Sequence, residues 1–469
     1  MIGMKRMIVV GGGAAGMMTA IHASKKYKVT LLEKNDKLGK KLFITGKGRC
    51  NLTNACDEET FLKNVMSNPK FLYSAVYAYP PSAVMESFEA WGLKIKTERG
   101  NRVFPCSDHS SDVIRTLEQE MKRCRVEVRL NTRVTGLVTE AAEGKNEGER
   151  SDARERKDVA KLKDAGERSD AEAQQQETDA QKGPDEMMNP RVTGVRLSTG
   201  EVCPADVVVL ATGGISYPGT GASGEGVGFL EKLGLRVRPF QPSLVPFLSD
   251  ESVCKAMMGL SLKNVEVKFF RAAKPKKPVY SEFGEMLFTH FGVSGPIILS
   301  ASGRMQKYFK KEEGRQDYRP SEELYMTIDW KPALSPEQLD ARILRDFEQG
   351  RNRELANAMG QLLPSSAITP VLTQAGLDPK KKVNEVTKEE RQQLLDTLKS
   401  FRLPILGLRG FDEAIISAGG LSVKELDPKT MEVKAVSGLR VVGEMMDCDA
   451  LTGGFNLQIA WCTAFLAAE

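Results

Sequence analysis

The chain has 469 residues, more than one hydrophobic core usually serves, so two or three domains are expected. A hydrophobic content of 41% supports real cores, and no apolar run is long enough to span a membrane as a helix. Net charge is +5, too small by itself to name a partner, and eight scattered cysteines with three histidines point to reduced cytosolic thiols rather than a zinc site or disulfide framework.

The first element is the apolar strand Met7-Ile8-Val9-Val10, which runs straight into Gly11-Gly12-Gly13-Ala14-Ala15-Gly16 and leaves no room for a signal-peptide pattern. Gly11 permits a tight turn, Gly13 lets backbone approach a pyrophosphate, and Gly16 lets the next helix sit close to the strand. That helix, from about Ala14 to Ser24, aims its first amides at the phosphates. Val29 to Leu32 reads as the second strand and ends in Glu33, with Lys34 after it. A carboxylate there accepts from both ribose hydroxyls and disfavours a 2′-phosphate. Strand, turn, helix, strand and acid in that order predict a dinucleotide site; the plainer alternative is a glycine-rich turn that binds nothing.

From about Glu140 to Asn189 the chain is nearly all charged and small residues, and Gly148-Glu149-Arg150-Ser151-Asp152-Ala153 recurs from Gly166 to Ala171. Such a stretch cannot bury enough surface to order itself, so a disordered insertion is expected. Arg133 to Val138 and Arg191 to Leu197 flank it and read as one hairpin that the insertion lengthens. Next comes Asp206 to Leu210, a buried strand of the parallel kind closed by Ala211-Thr212-Gly213-Gly214. The turn formers Ser216 to Gly221 follow.

The middle changes character. Val265 to Phe270, Met286 to Phe288 and Leu324 to Asp329 read as strands of a separate β domain. Capping-box patterns at Ser335 and Thr387 then open helices in a small helical unit from 335 to 402. Near the end, the strand Leu439 to Val442 meets Gly443-Glu444, with Asp447 placed to accept from ribityl hydroxyls or to meet the pyrophosphate through water. Thr452-Gly453-Gly454 opens a last helix, Phe455 to Ala468, whose free amides suit negative charge on a reduced flavin. Basic clusters at Lys122-Arg123, Lys274 to Lys277, Lys310-Lys311 and Lys380 to Lys382 suit a nucleic-acid surface, although solvated faces are the plainer reading.

Ile44-Thr45-Gly46-Lys47-Gly48-Arg49-Cys50-Asn51-Leu52-Thr53-Asn54, after Gly39-Lys40-Lys41, resembles the signature of the BaiN/RdsA family of NAD(P)/FAD-dependent oxidoreductases. Arg102 to Pro105, Ala211 to Gly214 with Ser216 to Pro218, Gly284 to Pro296, and the closing block from Gly443 to Asn456 extend the resemblance over nearly the whole chain outside the insertion. Lys47 stands where a glycine is frequent, and Cys448 and Ala450 flank Asp449 where Val and Gly are common.

The resemblance implies an α/β protein: an FAD-binding Rossmann domain (1–235 and 435–469) built from both chain ends, a β-barrel-like domain (236–333 and 404–434), and a helical domain (334–403). It implies that Gly11, Gly13, Ala14, Ala15, Gly16, Glu33 and Lys34 hold the adenosine diphosphate half of FAD, with Val134 at adenine. Lys41, Gly48, Arg49, Cys50, Asn51, Ala211, Thr212 and Gly213 would lie along pyrophosphate and flavin, and Gly443, Glu444, Asp447, Gly453, Gly454, Phe455 and Asn456 around the ribityl chain and pyrimidine edge.

Members of the family resemble enzymes that reduce a 23S rRNA uridine to dihydrouridine, others are linked to bile-acid double bonds, and older labels read aminoacetone oxidase. The first two share a logic in which NAD(P)H reduces FAD, a hydride passes to an activated C=C, and a protein acid protonates the neighbouring carbon. His290 is the first candidate for that acid because it lies in the Phe288-Thr289-His290-Phe291-Gly292 segment and imidazole is the side chain most suited to proton transfer; Tyr217 and Cys50 are rivals, and a structural histidine is the bland alternative. Substrate classes left open are rRNA, a small molecule and an amine. No metal is expected.

Overall fold

The computed structural model describes residues 4–140, 190–311 and 317–469. The charged insertion read at 140–189 falls almost wholly outside them. Five parallel strands make the first sheet, in the order Leu439–Val441, Val207–Leu210, Arg6–Val10, Lys28–Leu32, Glu127–Arg129. Arg6–Val10 sits at the centre, with Ile8 opposite Thr30 on one side and Val208 on the other. All four residues of Val207–Leu210 are buried, which is why the run shows no polar alternation.

Two helices flank the central strand. Ala14–Ala23 packs against Phe455–Ala468, and the second helix is apolar all round because it is buried all round. Trp461 is fully buried in it, and its indole N–H donates to Leu52 O at 2.9 Å. A side chain of that size contributes on the order of 2–3 kcal/mol by burial, which anchors this helix to the first core. The hairpin read from the sequence is present as Val134–Glu140 against Arg191–Leu197, antiparallel, with Val202–Pro204 as its third strand.

A nine-stranded antiparallel sheet carries the second core, running from the edge strand Phe309–Lys311 to the edge strand Phe401–Ile405. Ser261–Arg271 alternates within it, with Val265, Val267 and Phe269 buried beside Phe288 and Phe401. Both capping boxes close as their sequences require. Gln338 N–H donates to Ser335 Oγ at 3.2 Å, and Glu390 N–H to Thr387 Oγ1 at 3.2 Å, opening Pro336–Gln349 and Lys388–Lys399.

Between the two cores runs an antiparallel pair, Val237–Ser243 with Ile416–Leu421. From its last residue onward, Leu421, Leu426, Met431 and Val433 pack into the first core, whereas the sequence reading places residues up to 434 with the β-rich domain. The cause is local: bridges Leu426–Val433 and Glu432–Arg440 fold this segment back onto the Leu439–Val441 edge of the parallel sheet. Among the described residues no helix is long and apolar enough to cross a membrane.

Candidate dinucleotide and active site

The parallel strands end in one cavity, where open α/β sheets place their ligands. Gly11 to Ala15, Glu33, Lys41, Ala211 to Gly214, Glu444 and Gly453-Gly454 all line it, so residues from both ends of the sequence form one wall. The turn after the first strand explains its glycines by two opposite distances. A Cβ on Gly16 would lie 1.8 Å from Gly11 O, so the helix approaches the turn only without a side chain. A Cβ on Gly13 would meet nothing within 4 Å and would project into open space. One glycine serves packing and the other leaves room for a ligand.

Glu33 is 7% exposed, and its carboxylate is held from two sides. Gly12 N–H donates to Oε2 at 2.6 Å and Asn35 N–H to Oε1 at 2.8 Å. Each oxygen keeps a second lone pair, which is what a ribose diol needs. Nearby Lys34 Nζ contacts Ser223 Oγ at 2.6 Å, while Arg133 binds Glu225 at 2.8 Å.

At the other end, Lys41 Nζ lies 2.6 Å from Glu444 Oε2 and 2.6 Å from Ser216 Oγ. Glu444 Oε1 accepts from Ser417 N–H at 2.7 Å and Ser216 Oγ at 3.2 Å. Ser417 Oγ in turn accepts the amides of Ile215 and Ser216 at 2.9 and 3.0 Å. This network ties four chain segments into a rigid wall. Asn456 locks the last segment by accepting from Ala450 N–H at 2.9 Å and donating to Ala450 O at 2.8 Å. Open space at Gly13 and Gly213, the acid at the end of the second strand and the amides of the last helix fit a dinucleotide.

The chain matches the HI0933-like protein Rossmann domain over residues 5–155 and the HI0933-like protein barrel and H2TH domain over residues 241–416. It belongs to the HI0933-like family. A 3-dehydro-bile acid delta(4,6)-reductase of Clostridium scindens is 26% identical across 99% of this chain and 98% of its own. A ribosomal RNA dihydrouridine synthase of Escherichia coli is 27% identical across 98% of this chain and 96% of its own. One of the same name from Haemophilus influenzae is 26% identical across 98% and 97%. The HI0933-like chain is therefore an oxidoreductase of the flavoprotein class, with an FAD-type Rossmann site.

Most of the cofactor residues read from the sequence line the HI0933-like cavity: Gly11, Gly13, Ala14, Ala15, Glu33, Lys34, Lys41, Asn51, Val134, Ala211, Thr212, Gly213, Glu444, Gly453, Gly454 and Asn456. Others stand behind its wall. Arg49 stacks on Phe104 at 4.1 Å and pairs with Glu98 and Asp108 at 2.5 Å each, which holds its motif in place from outside. Gly48 and Gly443 turn the chain at φ +83° and +66°, and Gly16 packs on Gly11. The Phe455 ring meets Phe61 at a tilt, with centroids 5.8 Å apart. Asp447, expected at the ribityl chain, is 4% exposed and bonded to Arg238 Nη1 at 2.8 Å and Asn68 Nδ2 at 3.0 Å.

The three acid candidates also lie outside the lining. Cys50 is fully buried, and burial pushes its thiol up to about 12. Tyr217 is half-buried, with burial and then Glu413 raising its phenol, and its backbone N–H donates to Phe411 O at 2.9 Å. His290 is exposed, its ring 4.9 Å from Phe291, on which Arg409 stacks at 4.8 Å. Tyr217 and Phe291, the chain neighbour of His290, thus contact one loop, 409–415, whose end reaches the cavity through Ile415. Sequence reasoning missed Leu244, Ile415, Ile416 and Ser417 in the lining. The signal was there in Ser417-Ala418-Gly419-Gly420, a run within the Ile416–Leu421 strand as small as Ala211-Thr212-Gly213-Gly214.

Proposed function

We propose that this protein is an FAD-dependent reductase that uses NAD(P)H to saturate a carbon–carbon double bond, and that its substrate is a uridine of 23S rRNA. The observation that carries the cofactor half is the cavity closed by Lys41 and Glu444 across the sequence. Full-length similarity to two ribosomal RNA dihydrouridine synthases supports the substrate half. A small unsaturated ketone is the second reading, favoured by the comparable similarity to the bile-acid reductase. Both relatives' names describe reduction of a ring double bond.

Bound FAD would supply a carrier that takes hydride from NAD(P)H and gives it to the electrophilic carbon. The chain's own part is to hold the dinucleotide, keep water from it and supply a proton. In this reading Glu33 holds the ribose, the amides after Gly13 and Gly454 face the negative groups, and Lys41 offsets the charge of Glu444. His290 serves as proton donor or substrate anchor, with Tyr217 as its rival. Cys50 has no such part in this reading, since its side chain is fully buried and lies outside the cavity lining.

Anaerobic incubation with NADPH or NADH and 23S rRNA lacking dihydrouridine tests the reading. Dihydrouridine found by mass spectrometry after digestion, with cycling of the flavin colour, supports it. A reducible flavin that leaves the rRNA unchanged overturns the RNA half and moves the substrate to a small molecule. Full turnover by His290→Ala with bound FAD would overturn that residue's role.

A further inference from the structure

The edge of the nine-stranded sheet carries a charge arrangement that the site does not use. In the outermost ladder, Phe309–Lys311 against Tyr318–Pro320, Lys310 stands directly opposite Arg319. Like charges opposed across a ladder repel and weaken it. Arg319 Nη1 donates to Leu406 O at 2.8 Å, while its Nε is buried without a partner. An anion lying over this ladder would turn a repulsion into an attraction.

Two neighbouring elements extend the same sign. Ala272 N–H donates to Glu323 O and Ser321 N–H to Tyr308 O, which fastens the 272–279 turn beside the ladder. That turn presents Lys274, Lys276 and Lys277, all exposed, and contains no carboxylate. The Tyr308 ring lies 5.2 Å from Lys307 Nζ and 5.8 Å from Arg271 Cζ. Of the acids around it, Glu322 is engaged by Arg271 at 2.8 Å and Glu323 by Arg402 at 3.8 Å, while Asp317 directly precedes the Tyr318–Pro320 strand and Glu312-Glu313 lie between the two ladder strands in sequence. Lys274, Lys276, Lys277, Lys307 and Lys310 have no carboxylate partner among the described residues. The patch also leads to the cavity. Tyr318 meets Phe411 with ring centroids 6.2 Å apart, and Phe411 belongs to the 409–415 loop at the cavity.

We propose that this face, from the 272–279 turn across Tyr308 to the Lys310–Arg319 ladder, docks the phosphodiester backbone of the RNA substrate beside the cavity mouth. The inference rests on the rRNA reading above. Lysines placed as point charges neutralise phosphates without reading sequence, and a tyrosine among cations offers a face on which a base stacks. The cavity supplies the chemistry, and this face holds the polymer while one nucleotide reaches it.

The test uses the full FAD-loaded chain and an unmodified 23S rRNA transcript, with Kd measured by fluorescence anisotropy over a series of KCl concentrations. Lys274→Gln/Lys276→Gln/Lys277→Gln/Lys310→Gln is expected to weaken binding at least ~10-fold and flatten the log Kd against log salt slope by about three, at ~0.7–0.9 for each phosphate that is no longer neutralised. Bound FAD and melting temperature report that the variant is folded. Lys380→Gln/Lys382→Gln, on the helical unit, is expected to bind like wild type. Unchanged affinity and slope in the four-lysine variant, while wild type still forms dihydrouridine, overturns the docking face and leaves the substrate reading standing. A lysine-dependent slope with no dihydrouridine places the failure in the substrate reading alone. Wild type that neither binds nor modifies the transcript overturns both.

Discussion

Lys41 and Glu444, separated by 403 positions in the sequence, meet at 2.6 Å on the wall of the dinucleotide cavity. The pair is half-buried, so its charges are screened less than on an open surface and more than in a core. Removing one partner is therefore worse than removing both. Lys41→Ala leaves a carboxylate facing a cofactor that carries its own negative charge, and FAD Kd is expected to rise about 10-fold, roughly 1.4 kcal/mol. Lys41→Ala/Glu444→Gln should recover part of that loss. Titration of apoprotein by flavin fluorescence quenching checks it; a double variant weaker than the single would contradict the arrangement.

The glycines of the first turn separate folding from binding. Gly16→Ala drives a Cβ to within 1.8 Å of Gly11 O, and is expected to destabilise by several kcal/mol or prevent folding. Gly13 has φ −83°, a conformation any residue adopts, and open space beyond. Gly13→Ala should keep the wild-type melting temperature of the apoprotein and lose flavin affinity. A drop in apoprotein stability equal to that of Gly16→Ala would show that Gly13 is needed for packing instead.

His22 gives the stability a pH limb unrelated to chemistry. It lies between Tyr79 at 5.2 Å and Phe465 at 5.0 Å, and burial, then Lys25, lowers it from 6.5 to about 4. The unfolded chain takes this proton near pH 6.5 while the native chain refuses it until about pH 4. Stability is therefore fully present above pH 6.5 and falls as pH drops towards 4, by about 3 kcal/mol in all from this group. His22→Phe should flatten that fall. Urea midpoints of both proteins at pH 7 and pH 5 measure it, and parallel pH dependence in the two would sink the assignment.

All eight cysteines are free, but only Cys106 is exposed. Burial raises Cys254 and Cys462 to about 12 alongside Cys50. Iodoacetamide at pH 8 is expected to modify Cys106 first and to leave Cys50 at least about 100-fold slower, because the thiolate is the nucleophile. Peptide mapping over time reads the order. Early labelling of Cys50 would reopen it as a reacting group.

Much of this protein was legible because its decisive features are local. The turn at Gly11 to Gly16, the Glu33 that follows, the capping boxes and the last helix each fall within a few residues, and backbone chemistry alone dictates them. Ser417 was missed because its importance comes from a partner: it receives the amides of Ile215 and Ser216 and gives its own to Glu444. Asp447 and Arg49 lie outside the cavity lining for the same reason. Arg238 and Asn68 claim one, and Glu98 and Asp108 the other, across separations that spacing does not encode.

The cavity wall joins the turn after the first strand to the opening of the last helix. Such a site has no partial form: neither half holds a dinucleotide until chain segments hundreds of residues apart have met. Flavin binding is then a report on long-range closure, and since only the closed chain binds, the ligand draws the equilibrium towards it. Release of flavin, read as a rise in its fluorescence, would be the earliest sign of damage to the join, ahead of any loss of helix or sheet.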